Sequence, residues 1–175
     1  MKQELLTLTF FFIFLQGYSQ TLSEEETKLY NIIMEYRAAN GLPNIPHSKS
    51  LTFVAQTHVK DLVNNNPVTE QCNPHSWSAN GNWTACCYTS DHSQAACMWS
   101  KPRELTPYRG NGFEILFMSG ELATAADALG AWKTSPGHND TILNRDFWNQ
   151  PWNAIGIGMS AGYAVVWFGN DFDNN

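Results

Sequence analysis

The stretch Ala128-Leu129-Gly130-Ala131-Trp132-Lys133-Thr134-Ser135-Pro136-Gly137-His138 reads as an amphipathic helix that runs into a stop and delivers a histidine. Upstream, Thr124 followed by Asp127 has the form of an N-cap, and Ala125, Ala128, Leu129 and Trp132 then recur at helical spacing. Ser135-Pro136-Gly137 ends the pattern, because proline cannot continue the backbone bonding and glycine favours a turn. Turn residues hold a side chain at a surface or cleft, so His138 is expected outside the core. A second histidine sits in a matching setting, Asn73-Pro74-His75-Ser76, and a lone acid in an apolar run, Gly112-Phe113-Glu114-Ile115-Leu116, lies between the two. Brought together by a fold, His75, Glu114 and His138 would form a set suited to acid–base chemistry or to metal binding.

Working outward, Ser23 with Glu24-Glu25-Glu26 has the form of a capping box, and the acids suit the positive end of a helix dipole. Leu29, Ile32, Ile33 and Tyr36 follow at helical spacing and Asn40-Gly41, with Pro43 beyond, is a stop, which predicts a helix over residues 24–39. Ser50 is read as the cap of a second helix, with Leu51, Val54, Ala55, His58 and Leu62 on one face and Asn64-Asn65-Asn66-Pro67 at its end. His58 thus falls on or near the buried stripe and is read as a core or rim histidine. Residues 66–112 are rich in Asn, Ser, Gly, Pro and Cys and show no sustained period; a loop of that length carries function or needs staples. Thr141-Ile142-Leu143 is read as a short turn of helix. Two β-like runs close the chain, residues 154–159 and 163–168, separated by Ser160-Ala161-Gly162 in a hairpin signal, and a further strand is expected at Glu114–Phe117. Helices first and strands late read as an α+β fold, a small antiparallel sheet covered by helices.

Lys2, the apolar run Leu5 to Leu15, and the small residues Gly17 and Ser19 before Gln20 form a secretory pattern, so residues 1–19 are expected to be a signal peptide. The run is too short for a confident membrane span, and nothing else is long and apolar enough for one. The remainder, residues 20–175 (roughly 155 residues), is one domain by length. The net charge of −6 and the scattered basic residues do not support nucleic-acid binding. The 7 tryptophans point to a packed globule with aromatic surface or cleft lining. The 4 cysteines, Cys72, Cys86, Cys87 and Cys97, lie in one stretch of a chain expected to meet an oxidising environment, so two disulfides are expected. A Cys86–Cys87 ring would be strained. That leaves Cys72–Cys86 with Cys87–Cys97, or Cys72–Cys87 with Cys86–Cys97, either of which staples the loop around residues 72–97. A zinc–thiolate site is disfavoured by the lack of paired CxxC spacing.

The order of these pieces carries a resemblance. A His-Ser after the second helix, a Gly-x-Glu-Ile segment, the helix end Ala128-Leu129-Gly130-Ala131-Trp132-Lys133-Thr134-Ser135-Pro136-Gly137-His138 and a Gly-rich hairpin resemble the CAP superfamily, the cysteine-rich secretory, antigen 5 and pathogenesis-related-1 proteins with their SCP domain. The Trp-x-x-Ser-Pro-Gly-His run is similar to bacterial members, and the likeness spans about residues 24–169. It implies an α-β-α sandwich and a central cleft with two histidines and two acids. His75 and His138 match the histidine positions and Glu114 the first acid. The second acid would fall in Trp132-Lys133-Thr134-Ser135, where there is none, and nothing matches Glu121 to the motif.

Three positions still make a His₂-carboxylate set, the kind that binds Zn²⁺ with an open place for water. The alternative is a hydrogen-bonded polar knot that fixes the loop. Ser76 and Ser135 each neighbour a key histidine, but no Gly-x-Ser-x-Gly elbow exists to support a serine nucleophile. His47 and His92 lie in polar loop sequence and read as surface, with His92 able to line the cleft. Trp77, Trp83 and Trp99 could stack on a carbohydrate or lipid, with core packing the plainer reading. Sequons occur at Asn82-Trp83-Thr84 and Asn139-Asp140-Thr141, and a glycan at Asn139 would crowd the cleft. The expected function is therefore that of a secreted or periplasmic, monomeric, non-enzymatic binding protein whose ligand is a lipid, sterol, carbohydrate or protein. A metal-dependent hydrolase using His75, Glu114 and His138, and a structural or interaction module of the cell envelope, are the rival readings.

Overall fold

The structure, a computed structural model, describes residues 21–174. The segment read as a signal peptide lies outside the described residues. Helix α1, Glu24–Ala39, starts at the expected capping box, with Ser23 and Glu26 satisfying each other's backbone N–H groups. Helix α2, Lys49–Asn65, is capped by Ser48 rather than Ser50: the Ser48 hydroxyl accepts from the Leu51 N–H at 2.9 Å. Ser50 lies inside the first turn. Its N–H and hydroxyl donate to Asp173 at 2.9 and 3.1 Å, and Ser48 donates to the same carboxylate at 2.6 Å. The chain end thus brings a negative charge to the start of α2, whose own first turn has no acid.

The long segment that lacks a period contains two short helices, α3 (Ala95–Trp99) and α4 (Lys101–Leu105). Each is too short for a repeating apolar stripe to declare it. Strand β1 is Phe113–Met118, and α5, Ala125–Thr134, is capped by Thr124 as expected. At Ser135 the chain breaks for a single extended residue (φ −99°, ψ 112°) and restarts as α6, Pro136–Ile142. Proline fits the first position of a helix, where its missing N–H costs nothing. His138 therefore stands in the first turn of a helix, not in a loop. A 3-10 turn at Asp146–Trp148 leads to β2, Ala154–Ser160, and β3, Tyr163–Gly169.

The three strands form one antiparallel sheet in the order β1-β3-β2. Alternation along β3 divides the core. Ala164, Val166 and Phe168 join Leu29, Ile33 and Trp132 of α1 and α5 on one face, and Val165 and Trp167 join Leu51, Val54 and Ala55 of α2 on the other. This is the expected α+β architecture with helical layers on both sides of a small sheet. On β2, Ile155 and Ile157 fill the first face, and Gly156 and Gly158 turn toward the α2 backbone. A Cβ at Gly156 would lie 2.0 Å from the Leu51 carbonyl carbon, and one at Gly158 2.4 Å from that of Ala55. These two glycines let α2 lie against the sheet.

Gly156→Ala is expected to destabilise the chain by about 2–3 kcal/mol in urea or thermal unfolding, because the helix backbone must move. Gly130→Ala, in the interior of α5 with nothing within 4 Å of the added carbon, is expected to stabilise by about 0.5–1 kcal/mol.

Candidate functional site

Alternation along β1 aims Ile115 at the α1 and α5 face and leaves Glu114 and Leu116 toward α2. Glu114 sits on this edge strand opposite Trp167 of β3, with its side chain fully buried. Helical spacing places His58 on the same buried stripe of α2 as Val54, Ala55 and Leu62. The two meet: His58 Nδ1 lies 2.5 Å from Glu114 Oε2. From the other side, His75 Nδ1 lies 2.6 Å from Glu114 Oε1. One carboxylate is thus bracketed by two imidazoles, one from a helix and one from the cystine-rich loop.

The loop is built to hold His75 there. Asn73 Oδ1 accepts from the His75 N–H at 3.0 Å in an Asx turn. The buried Ser76 hydroxyl accepts from Tyr88 N–H at 2.9 Å, and Ser78 donates both its N–H and its hydroxyl to Asp61 of α2. Trp77 and Cys86 pair as an isolated antiparallel bridge. The disulfides are Cys72–Cys87 and Cys86–Cys97, the second of the two pairings left open by the sequence. They close loops of 15 and 11 residues, each adding about 3 kcal/mol on chain-entropy grounds.

Burial pushes the Glu114 carboxyl pKa up. The charge and hydrogen bond of His58, then the hydrogen bond and charge of His75, outweigh it and hold the pKa down at about 2. With Glu114 ionised, both Nδ1 atoms must donate to it. His58 Nε2 lies 3.0 Å from the Ser76 carbonyl oxygen, which can only accept, so both ring nitrogens of His58 face acceptors. Its ring stacks on Trp77 at 4.4 Å and 6°, an arrangement that favours a cation on the indole face.

His75, Glu114 and His138 line one cleft of about 490 Å³, so the fold brings the three sequence-identified residues together. Tyr88, Met98, Trp99 and Ile115 form its walls, and Phe147 and Trp148 stand at its edge, with Phe147 76% exposed. The half-buried His138 ring receives no hydrogen bond from any described residue. Burial, then the proximity of His75, lowers its pKa below the ordinary 6.5.

Other sequence readings fare differently. Of the three tryptophans singled out, Trp77 is core, Trp83 donates to the Ser78 carbonyl at 2.9 Å, and Trp99 alone lines the cleft. His47 is exposed, as expected, and bonds Thr52; His92 is also exposed but reaches the cleft edge, where Tyr88 Oη is 2.9 Å from its Nδ1. Ser135 makes no side-chain cap bond, and Glu121 is exposed in the loop after β1. Asn82 is exposed, whereas Asn139 Oδ1 accepts from the Tyr36 hydroxyl at 2.9 Å. The reading of the sequence missed His58 as a member of the site, because helical spacing reports burial and not partner. It also missed the aromatic pair Phe147-Trp148, whose signal was two large rings in a polar connection.

Both carboxylate oxygens of Glu114 face ring nitrogens, and among the described residues no group of three His, Cys, Asp or Glu stands ready to hold a metal ion.

A small antiparallel sheet between helical layers is the architecture of an SCP-type domain. The family model for CAP, the cysteine-rich secretory protein family, matches residues 30–163, and the chain belongs to that family. Its fold is similar to that of an outer surface protein from Borrelia burgdorferi (TM-score 0.56, 20% identity, covering 85% of this chain and 95% of that one). It is also similar to an extracellular SCP-domain protein from Bacillus anthracis (TM-score 0.59, 17% identity, 84% of this chain and 40% of that one). A cysteine-rich secretory protein from Staphylococcus aureus gives TM-score 0.54 at 14% identity, over 84% of this chain and 38% of that one. No curated protein matches the sequence.

A carboxyl held at about 2 in the fold against an ordinary 4.5 contributes stability that is fully present above pH 4.5 and is lost as pH falls toward 2. Glu114→Gln is expected to cost about 3 kcal/mol at neutral pH and to flatten the acid limb of the stability profile, measured by urea unfolding across that range.

Proposed function

We propose that this chain is an exported binding protein that holds a small, largely apolar ligand in the His75–His138 cleft and performs no turnover. The observation that carries this reading is the composition of the cleft: aromatic and aliphatic walls around a polar end where His138 stands beside His75, itself tied to a buried carboxylate, with His92 and Tyr88 at the edge. The groups that hydrolysis would require are committed elsewhere or absent. Glu114 is engaged by two imidazoles, the Ser76 hydroxyl is buried against Tyr88 N–H, and Trp132-Lys133-Thr134-Ser135, where the family's second acid would fall, holds no acid. Two disulfides favour an oxidising compartment, and two of the structural relatives are described as an outer surface and an extracellular protein. The acidic surface suits a lipid, sterol, carbohydrate or protein better than a nucleic acid.

The oxidised chain titrated with 1-anilinonaphthalene-8-sulfonate is expected to give a saturable fluorescence rise, weakened about tenfold or more in a Trp99→Ala, Trp148→Ala double variant. No rise, or an identical rise in the variant, would leave the chain as an interaction module without a ligand cleft. Calorimetric titration with Zn²⁺ is expected to show no sub-micromolar binding, since two imidazoles alone make a weak site. Tight binding abolished by His75→Ala with His138→Ala would instead establish a metal centre, and zinc-dependent ester or peptide cleavage would establish the hydrolase.

A further inference from the structure

We propose that His58 is a positioning residue: acting through Glu114, it fixes His75 in the Nδ1–H tautomer, so that His75 Nε2 faces the cleft as a hydrogen-bond acceptor and selects ligands that carry an O–H or N–H donor on an apolar body. This rests on the cleft-binding reading and names the ligand chemistry of that site.

The chain of contacts is short. Glu114 has two oxygens; Oε2 is 2.5 Å from His58 and Oε1 2.6 Å from His75. A carboxylate with both oxygens engaged cannot swing to free His75 Nδ1. His58 cannot swing either: its Nε2 is held by the Ser76 carbonyl at 3.0 Å, its ring is stacked on Trp77, and its side chain is fully buried. An imidazole that donates from Nδ1 and is otherwise neutral keeps its lone pair on Nε2. That nitrogen lies on the ring edge turned from Glu114, carries no hydrogen bond from a described residue, and belongs to a side chain that is 22% exposed where it lines the cleft. His138 stands in the same cleft with neither ring nitrogen bonded to a described residue. Around them Met98, Trp99, Ile115 and Trp148 supply apolar surface, and among the described residues that line the cleft there is no Lys or Arg side chain. An acceptor in an apolar cleft is costly to leave unpaired, so a ligand with a matching donor is favoured over one of equal shape without it.

The test has two arms. Long-range proton–nitrogen spectra of the ¹⁵N-labelled, oxidised chain at mildly alkaline pH report the His75 tautomer directly. The expected pattern is a protonated Nδ1 and a bare Nε2 for His75. His58→Leu is expected to mix the His75 tautomers, and His58→Gln, which keeps a donor toward Glu114, to restore the single form. If the leucine variant fails to fold, the wild-type spectrum still decides. In the second arm, quenching of tryptophan emission compares 2-naphthol with 2-methoxynaphthalene, the same ring system without the donor. Roughly fivefold or greater preference for the naphthol is expected.

A protonated Nε2 on His75, or equal affinity for the two probes, overturns the inference while leaving the cleft as a binding site. Failure of both probes to bind counts against the cleft-binding reading and, with it, against donor selection.

Discussion

A carboxylate removed from water must be met by charge and hydrogen bonds or it will take up a proton or unfold its surroundings. Glu114 is met twice, by His58 from α2 and by His75 from the cystine loop. Those three residues belong to three parts of the chain that share no local contacts in sequence. The strand supplies the charge, the helix supplies a buried donor whose far nitrogen is anchored on the Ser76 carbonyl, and the loop supplies a donor whose far nitrogen bonds no described residue. The rest of the fold serves this contact. Gly156 and Gly158 let α2 approach the sheet closely enough for His58 to reach the edge strand, and the Asp61–Ser78 bonds hold the loop, stapled within itself by two disulfides, onto the same helix.

The division of labour explains the character of the cleft. Its one carboxylate works from beneath, holding a histidine rather than facing a ligand. The cleft walls come from short pieces (α3, the first turn of α6 and the 3-10 turn) that have little structure of their own and are held by the cystine pair Cys86–Cys97 and by aromatic edge contacts among Trp99, Phe113, Trp148 and Trp152. Such a site has a hydrogen-bonded polar end and an apolar rim. That combination suits recognition of a molecule by one oriented hydrogen bond and a broad apolar contact.

The outline of this fold was legible because it rests on strong local signals. The Ser23 capping box, the apolar stripe of α2, the Thr124 cap and the hairpin at Ala161-Gly162 each declare themselves within a few residues. His75, Glu114 and His138 were legible as a set from their order along the chain. What was hidden depends on three-dimensional partners. His58 looks like any stripe residue until β1 is laid against α2. Ser48 and Ser50 are equally good caps by type; Asp173 accepts from both, and the Leu51 N–H bonded to the Ser48 hydroxyl is what separates their roles. The adjacent Cys86 and Cys87 leave two pairings open because which of them turns toward Cys97 is set by the Trp77–Cys86 bridge. The helix after Ser135 was masked by a proline that stops one helix and is well suited to start the next.

A double-mutant cycle on His58 and Glu114 tests the central claim most directly. Unfolding free energies would be measured for the wild type, His58→Leu, Glu114→Leu and the double variant at neutral pH. Each single change strands a buried partner, so each is expected to cost about 3–5 kcal/mol, while the double variant costs much less than their sum, a coupling of about 2 kcal/mol or more. Single-variant costs that simply add, to within about 0.5 kcal/mol, would contradict the account, because the two side chains would then not share a charge and a proton at the heart of the fold.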